Sequence, residues 1–258
     1  MKFREIVYLP PVFLVFIIGI CMVNSGCIQN QKEKLPNIVL IFTDDQGYGD
    51  LGITGNPHVK TPAIDAFAQE STTFDNFYVS PVCAPTRSSL MTGRYSLRTG
   101  IRDTYNGGAT MATTEVTISE MLKKVDYKTG VFGKWHLGDE EPYQPHSRGF
   151  DETFIHGAGG IGQAYDCSCA DAPGNKYFNP AIRHNGSFVK TEGYCTNLFF
   201  SAALGWINTQ RQTGEPFFAY IVTNAPHGPV IAPPRNTEHF TDLDFGAKQA
   251  GFYGMIEN

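Results

Sequence analysis

Strong basic character is missing from this 258-residue chain, in which 20 Lys and Arg face 25 Asp and Glu for a formal net charge of −5. The longest basic run is the pair Lys123-Lys124. Neither a global nor a local cationic surface is therefore offered to a phosphate backbone, and no nucleic-acid partner is expected. Internal repeats and low-complexity tracts are also lacking, which excludes solenoids and disordered tails. A run of about 20 apolar residues, the length that spans a bilayer, is absent too; the nearest approach is Val12 to Val23. What remains is core material. Hydrophobic residues make up 41% and aromatics 13% of the chain, enough for one large core, with one or two domains open by length.

The first 30 residues differ from the rest. Lys2 and Arg4 precede the apolar run, and Ser25-Gly26 follows it, the layout of a secretory signal over 1–27. An uncleaved anchor is the second choice for this short run, and Ser25-Gly26-Cys27 also resembles the end of a bacterial lipoprotein signal, with Asn24 where an aliphatic residue is usual, so a lipid anchor at Cys27 is a further alternative to simple cleavage. Residues 28–35 read as a polar linker, and the remainder, 36–258, as one catalytic domain. Export to the periplasm, the outer membrane or the medium is expected.

Export makes disulfides permissible. Outside the targeting segment stand Cys83, Cys167, Cys169 and Cys195. Cys167 and Cys169 are two apart, so a bond from one of them to Cys195 is easier to build than a bond between them, and a loop staple is expected. A Cys-x-Cys metal site is disfavoured because no nearby histidine completes it.

From Pro36 onward strands and helices alternate. Asn37 to Thr43 is a continuous apolar run of strand length, expected as a central strand buried on both faces. Thr61-Pro62 opens a helix with Ile64, Phe67 and Ala68 on one face. Thr117 and Glu120 form a capping box ahead of Ile118, Met121, Leu122 and Val125. A strand is expected near 128–133, a helix from Asn197 to Arg211 with Phe200, Leu204 and Ile207 inward, and a buried strand from Phe217 to Thr223. Such alternation predicts an α/β fold with a mostly parallel central sheet flanked by helices.

Three of these strands end in unusual chemistry: Asp44-Asp45, then Lys134 and His136, then His227. Open α/β sheets gather their sites at the carboxyl ends of strands. Adjacent aspartates point to opposite faces of a regular strand, so both meet one ion only if the strand stops there, and Gln46-Gly47 supplies the break. Oxygen donors of this kind suit Ca²⁺ or Mg²⁺; the bland alternative is a solvated turn. Pro85 fits the first turn of a helix ending near Gly93, which puts Cys83 at a helix N-terminus where partial positive charge favours an anion. Arg87, one turn in, adds a fixed cation.

Cys83-Ala84-Pro85-Thr86-Arg87, extended by Ser88-Ser89-Leu90 and Thr92-Gly93-Arg94, resembles the Cys-x-Pro-x-Arg signature of the type I, formylglycine-dependent sulfatases of the alkaline-phosphatase-like superfamily. Asp44 to Asp50, Gly133-Lys134-Trp135-His136-Leu137-Gly138 and Ala225-Pro226-His227-Gly228-Pro229 are similar to three further segments of that family, in the same order. The resemblance spans 36–258 and is weakest between Tyr165 and Tyr177.

It implies an enzyme that cleaves sulfate esters with Ca²⁺, after a separate maturation enzyme has oxidised Cys83 to formylglycine. The hydrated aldehyde would attack sulfur with one hydroxyl and expel sulfate with the other. Asp44, Asp45 and the residue made from Cys83 would bind the metal, Arg87 and Lys134 would hold the nucleophile and neutralise charge, His136 would take a proton, and His227 would serve the leaving group. The family also carries a downstream Asp-Asn metal pair and a further lysine that do not occur within this sequence. The chain thus reads as an N-terminal piece, expected to bind metal weakly if it ends at Asn258. Rival readings are a phosphonate monoester or phosphodiester hydrolase, a degenerate sulfated-glycan-binding protein, and a thiol hydrolase using Cys83 directly.

Overall fold

Six strands form a single sheet in the order β1-β6-β2-β3-β4-β5 in the computed structural model, which describes residues 35–104, 109–164 and 168–258. The expected export signal, Cys27, nearly all of the linker, and Cys167 lie outside the described residues. Strands β1 (Ile38–Phe42), β6 (Phe217–Val222), β2 (Lys128–Lys134) and β3 (Glu152–His156) run parallel. At the far edge β4 (Ala181–His184) and β5 (Ser187–Lys190) form an antiparallel hairpin. The α/β, mostly parallel expectation holds, and β3 to β5 are additions to the strands foreseen.

Strand β6 is apolar throughout and fully buried, as a strand flanked by parallel neighbours and covered on both faces must be. One face of the sheet packs Phe218, Tyr220, Val222 and Val131 against Ala84 and Met91 of helix α2 (Cys83–Thr92). Helix α1 (Pro62–Gln69) and the short α3 (Ile118–Lys123) precede β2. On the opposite face Phe132 and Ile221 meet Ala203 of α4 (Cys195–Thr213). A final helix, α5 (Ala247–Glu257), buries Met255 in a third cluster with Tyr177 and Phe199. Fully burying such side chains contributes about 1.5–3 kcal/mol each.

Several expectations are corrected. Among the described residues strand β1 has a sheet neighbour only on its β6 side: Ile38, Leu40 and Phe42 pack on the core, while Val39 and Ile41 are 49% and 55% exposed. An unbroken apolar run fixes strand length but not strand order. On α1, Ile64 and Phe67 face outward, and the helix is instead tied down through Asp65, which accepts from Thr61 Oγ1 at 2.8 Å and from the Ile53 amide at 2.9 Å. Met121 and Val125 are half exposed, although the Thr117–Glu120 capping box forms as foreseen. The inward line of α4 is Cys195, Phe199 and Ala203, with Leu204 exposed, because Phe199 stacks on His156 of β3 at 6.0 Å and sets the helix rotation.

The disulfide expectation also fails. Cys169 and Cys195 are free thiols. Cys195 begins α4 inside an apolar cluster with Tyr177 and Tyr194, where burial pushes its thiol up to about 12, whereas Cys169 is exposed and donates to the Asp139 carbonyl.

Candidate active site

Parallel register brings the chemistry to one end of the sheet. Asp44 follows β1, Lys134 ends β2 opposite His156 at the end of β3, and Asn224 to His227 follow β6. Between β1 and β6 the backbone stays paired past the strands, with the Asp44 amide donating to Ala225 O and the Thr223 amide to Phe42 O, each at 3.0 Å. Chain direction then changes sharply. Asp45 (φ 60°) and His136 (φ 55°) both occupy the left-handed region, a costly conformation for such residues that concentrates at functional sites.

Cys83 is the first residue of α2, behind an extended Val82 cap and ahead of Pro85 in the first turn. The Ser80 amide donates to Thr86 Oγ1 at 3.0 Å, tying the preceding loop to the helix. Free amides of that turn give position 83 the positive end of the helix dipole. At the other end Gly93 takes the left-handed conformation and closes on Ser89 O, as the sequence indicated.

Beside Cys83 lies a buried charge cluster. Lys134 is fully buried, its ammonium bonded to Asp44 Oδ2, and Arg87 Nη2 stands 3.4 Å from Asp44 Oδ1. Arg87 Nη1 also donates to Lys134 O at 3.0 Å. Burial alone would raise the Asp44 pKa, but Arg87 and Lys134 outweigh it and hold the carboxyl below its ordinary value. The Lys134 pKa is lowered, by burial and then by Arg87, with Asp44 opposing. Two cations thus confront one carboxylate. Two buried guanidinium nitrogens of Arg87, Nε and the Nη2 that faces Asp44, make no hydrogen bond among the described residues, so Arg87 keeps unused donor capacity.

His136 connects this cluster to the thiol. Its Nε2 lies 3.0 Å from Thr104 O and its Nδ1 3.3 Å from Cys83 Sγ. A carbonyl only accepts, so Nε2 carries the proton and Nδ1 presents its lone pair to position 83. Burial, then Lys134, pushes the His136 pKa down to about 3, keeping the ring neutral. His227 is ordered in the opposite sense: Nδ1 donates to Gly228 O at 2.6 Å, and Nε2 faces Asp45 Oδ2 at 3.8 Å. Cys83, Asp45, His136 and His227 share the lining of one cavity of about 600 Å³.

Every residue nominated from the sequence therefore enters one constellation, though not equally. Asp44 faces the buried cations, while Asp45 is 56% exposed at the cavity. Among the described residues no group of three or more His, Cys, Asp or Glu side chains forms a complete metal cage. Two adjacent carboxylates fit a hard cation by donor chemistry but supply only part of the six to eight oxygens Ca²⁺ takes. Sequence reasoning missed Thr104, which sets the His136 tautomer, and His156. The latter ends a strand just as Lys134 does, and the same carboxyl-end logic finds it once β3 is recognised.

Comparison with known proteins agrees with this arrangement. The Sulfatase family model matches residues 36–248. N-acetylgalactosamine-6-sulfatase of Sus scrofa is 35% identical over 235 residues, covering 85% of this chain and 43% of that protein. Arylsulfatase J of Mus musculus is 32% identical over 212 residues, or 81% and 35% respectively. The crystal structure of Ps i-CgsB in complex with k-i-k-neocarrahexaose superposes with a TM-score of 0.76 at 31% identity, over 86% of this chain and 52% of that one. The chain spans less than half the length of these curated relatives. With the signature cysteine, the buried lysine and both histidines gathered at one sheet end, this chain belongs to the sulfatase family.

Proposed function

We propose that the protein of which this chain is part hydrolyses sulfate esters to an alcohol and sulfate, and that Cys83 is oxidised to formylglycine by a dedicated maturation enzyme before it acts. One observation carries the reading: position 83 stands at a helix N-terminus, 3.3 Å from an unprotonated His136 nitrogen, beside two buried cations that share one carboxylate. The relatives point the same way, being named as sulfatases of a sugar or an aryl ester.

The Cys83 sulfur stands in for the oxygens of the hydrated aldehyde, which would supply one hydroxyl to attack sulfur and another to release sulfate. Asp44 and Asp45 would hold Ca²⁺, which when bound adds positive charge near the sulfate and acidifies a nearby hydroxyl. Arg87 and Lys134 neutralise charge building on the sulfate oxygens. The His136 Nδ1 lone pair takes a proton from a hydroxyl at position 83. His227 keeps its Nδ1 proton on Gly228 O, so it serves the leaving oxygen through Nε2, as donor when that nitrogen is protonated. Residues 1–27 would direct export, with Cys27 as the lipidation point in the anchored case.

The test is mass spectrometry of the Cys83 peptide after co-expression with a formylglycine-generating enzyme, paired with kinetics on aryl sulfate and aryl phosphate esters. An aldehyde in place of the thiol, with sulfate preferred, supports the reading. An unmodified thiol sinks it in favour of a binding protein, and a preference for phosphate or phosphonate esters sinks it in favour of the neighbouring hydrolases.

A further inference from the structure

The cavity has two chemically different ends. At its floor are Cys83, His136 and the cation cluster behind them. Its outer wall carries Asp139 and Glu140, with the polar side chains of Gln163 and Ser168, and no lysine or arginine lines it among the described residues. Asp139 directly continues the Gly133–Gly138 segment that delivers Lys134 and His136, so its position is fixed relative to theirs. Its main chain is held from two sides, the carbonyl accepting from Gln144 Nε2 and from Cys169 Sγ. Its carboxylate Oδ2 accepts from Ser168 Oγ at 3.0 Å. Arg183 donates to Cys169 O at 3.1 Å and Gly186 O at 3.2 Å and reaches Asp139 only through its charge, not through a hydrogen bond. Burial raises the Asp139 pKa and the Glu140 charge adds to it, outweighing the Ser168 hydrogen bond and the Arg183 charge, which oppose it.

We propose that this acidic wall selects a sugar carrying a single sulfate over one carrying a second anionic group, with Asp139 as the specificity-determining residue. The inference rests on the sulfatase reading and adds the substrate class. One sulfate is received at the Cys83 end, in front of the buried Lys134 and Arg87. The rest of the sugar then lies against carboxylates, which accept hydrogen bonds from neutral hydroxyls. A second sulfate or a uronate has no proton to donate there, and meets the like charges of Asp139 and Glu140.

The experiment is titration calorimetry with galactose, galactose 6-sulfate and galactose 2,6-disulfate on the Ca²⁺-loaded, full-length protein of which this chain is part, kept in its unmodified Cys83 thiol form so that nothing turns over, and on its Asp139→Asn and Glu140→Gln variants, each checked by thermal melting. The monosulfate is expected to bind the wild type about tenfold or more tighter than the disulfate. Asp139→Asn should close that gap to within about threefold by strengthening the disulfate. Glu140→Gln should move the ratio in the same direction, and stands in should Asp139→Asn fail to fold. Equal affinity for the two sulfated sugars, or variants that shift both alike, overturns the proposal while leaving the sulfatase reading intact. Should galactose 6-sulfate bind no better than galactose, the sulfatase reading fails and this proposal with it.

Discussion

His136 approaches Cys83 through Nδ1 at 3.3 Å because its other ring nitrogen is spent on the carbonyl of Thr104. That bond fixes the tautomer and leaves a lone pair aimed at the reacting position. Replacing His136 by Ala in the matured enzyme should lower kcat on an aryl sulfate by about 10²–10⁴-fold, with far less change in KM. Steady-state kinetics checks this; equal loss in kcat and gain in KM would mean the ring binds substrate rather than moving a proton.

The two neighbouring aspartates should behave differently on substitution. Asp44 balances Lys134 and Arg87 in a buried cluster, so Asp44→Asn leaves two uncompensated cations and should cost roughly 3–5 kcal/mol of stability. Asp45 is 56% exposed, and Asp45→Asn should stay within about 0.5 kcal/mol of wild type. Urea unfolding measures both, and Ca²⁺ calorimetry should show that either change weakens the metal.

Stability should fall on acidification well before the carboxylates titrate. Folded His136 has its pKa depressed to about 3 and His156 lies well below its ordinary value of 6.5, burial being the main cause for each. Below pH 6.5 the unfolded chain takes up protons at both rings that the folded chain refuses, so stability is fully present above that pH and drains as pH falls toward 3. Each histidine contributes a slope of up to about 1.4 kcal/mol per pH unit. The Asp44 carboxyl, also depressed, adds its loss only below about its ordinary value of 3.8. His156 has neither ring nitrogen partnered among the described residues, so His156→Phe should roughly halve the slope between pH 6 and 4, and urea titrations across that range would reveal it.

Gly133 precedes Lys134 with φ 118°, and a Cβ there would lie 1.8 Å from Val222 O of the neighbouring strand. Gly133→Ala should therefore separate β2 from β6 at the site and cost more than about 3 kcal/mol. Gly205, inside α4 with open space around it, is the control: Gly205→Ala should stabilise by about 0.5–1 kcal/mol. Thermal melts of the two variants compare them directly.

How much could be read from the sequence followed the range of the interactions involved. Local signals were reliable: the Thr117–Glu120 capping box, the glycine that ends α2 and the apolar run of β6 all appear where their residues put them. The residues that gather at the candidate site were legible through family motifs and through their position after strands. What failed depends on distant partners. The pairing of β1 is with β6, some 180 residues later, and the rotation of α4 follows from His156 stacking on Phe199. Cysteine spacing made a disulfide feasible without revealing that Cys195 turns into the core. His156 went unnoticed because β3 carries polar residues at both ends and gives no continuous apolar run.

Strand β1 presents Val39 and Ile41 to solvent and has a sheet neighbour only on its β6 side among the described residues. Unpaired strand edges with greasy side chains template addition of further chains. Handled by itself at high concentration, this polypeptide should therefore associate through that edge. A lysine at Val39 or Ile41 would improve its solution behaviour while leaving the chemistry at position 83 untouched.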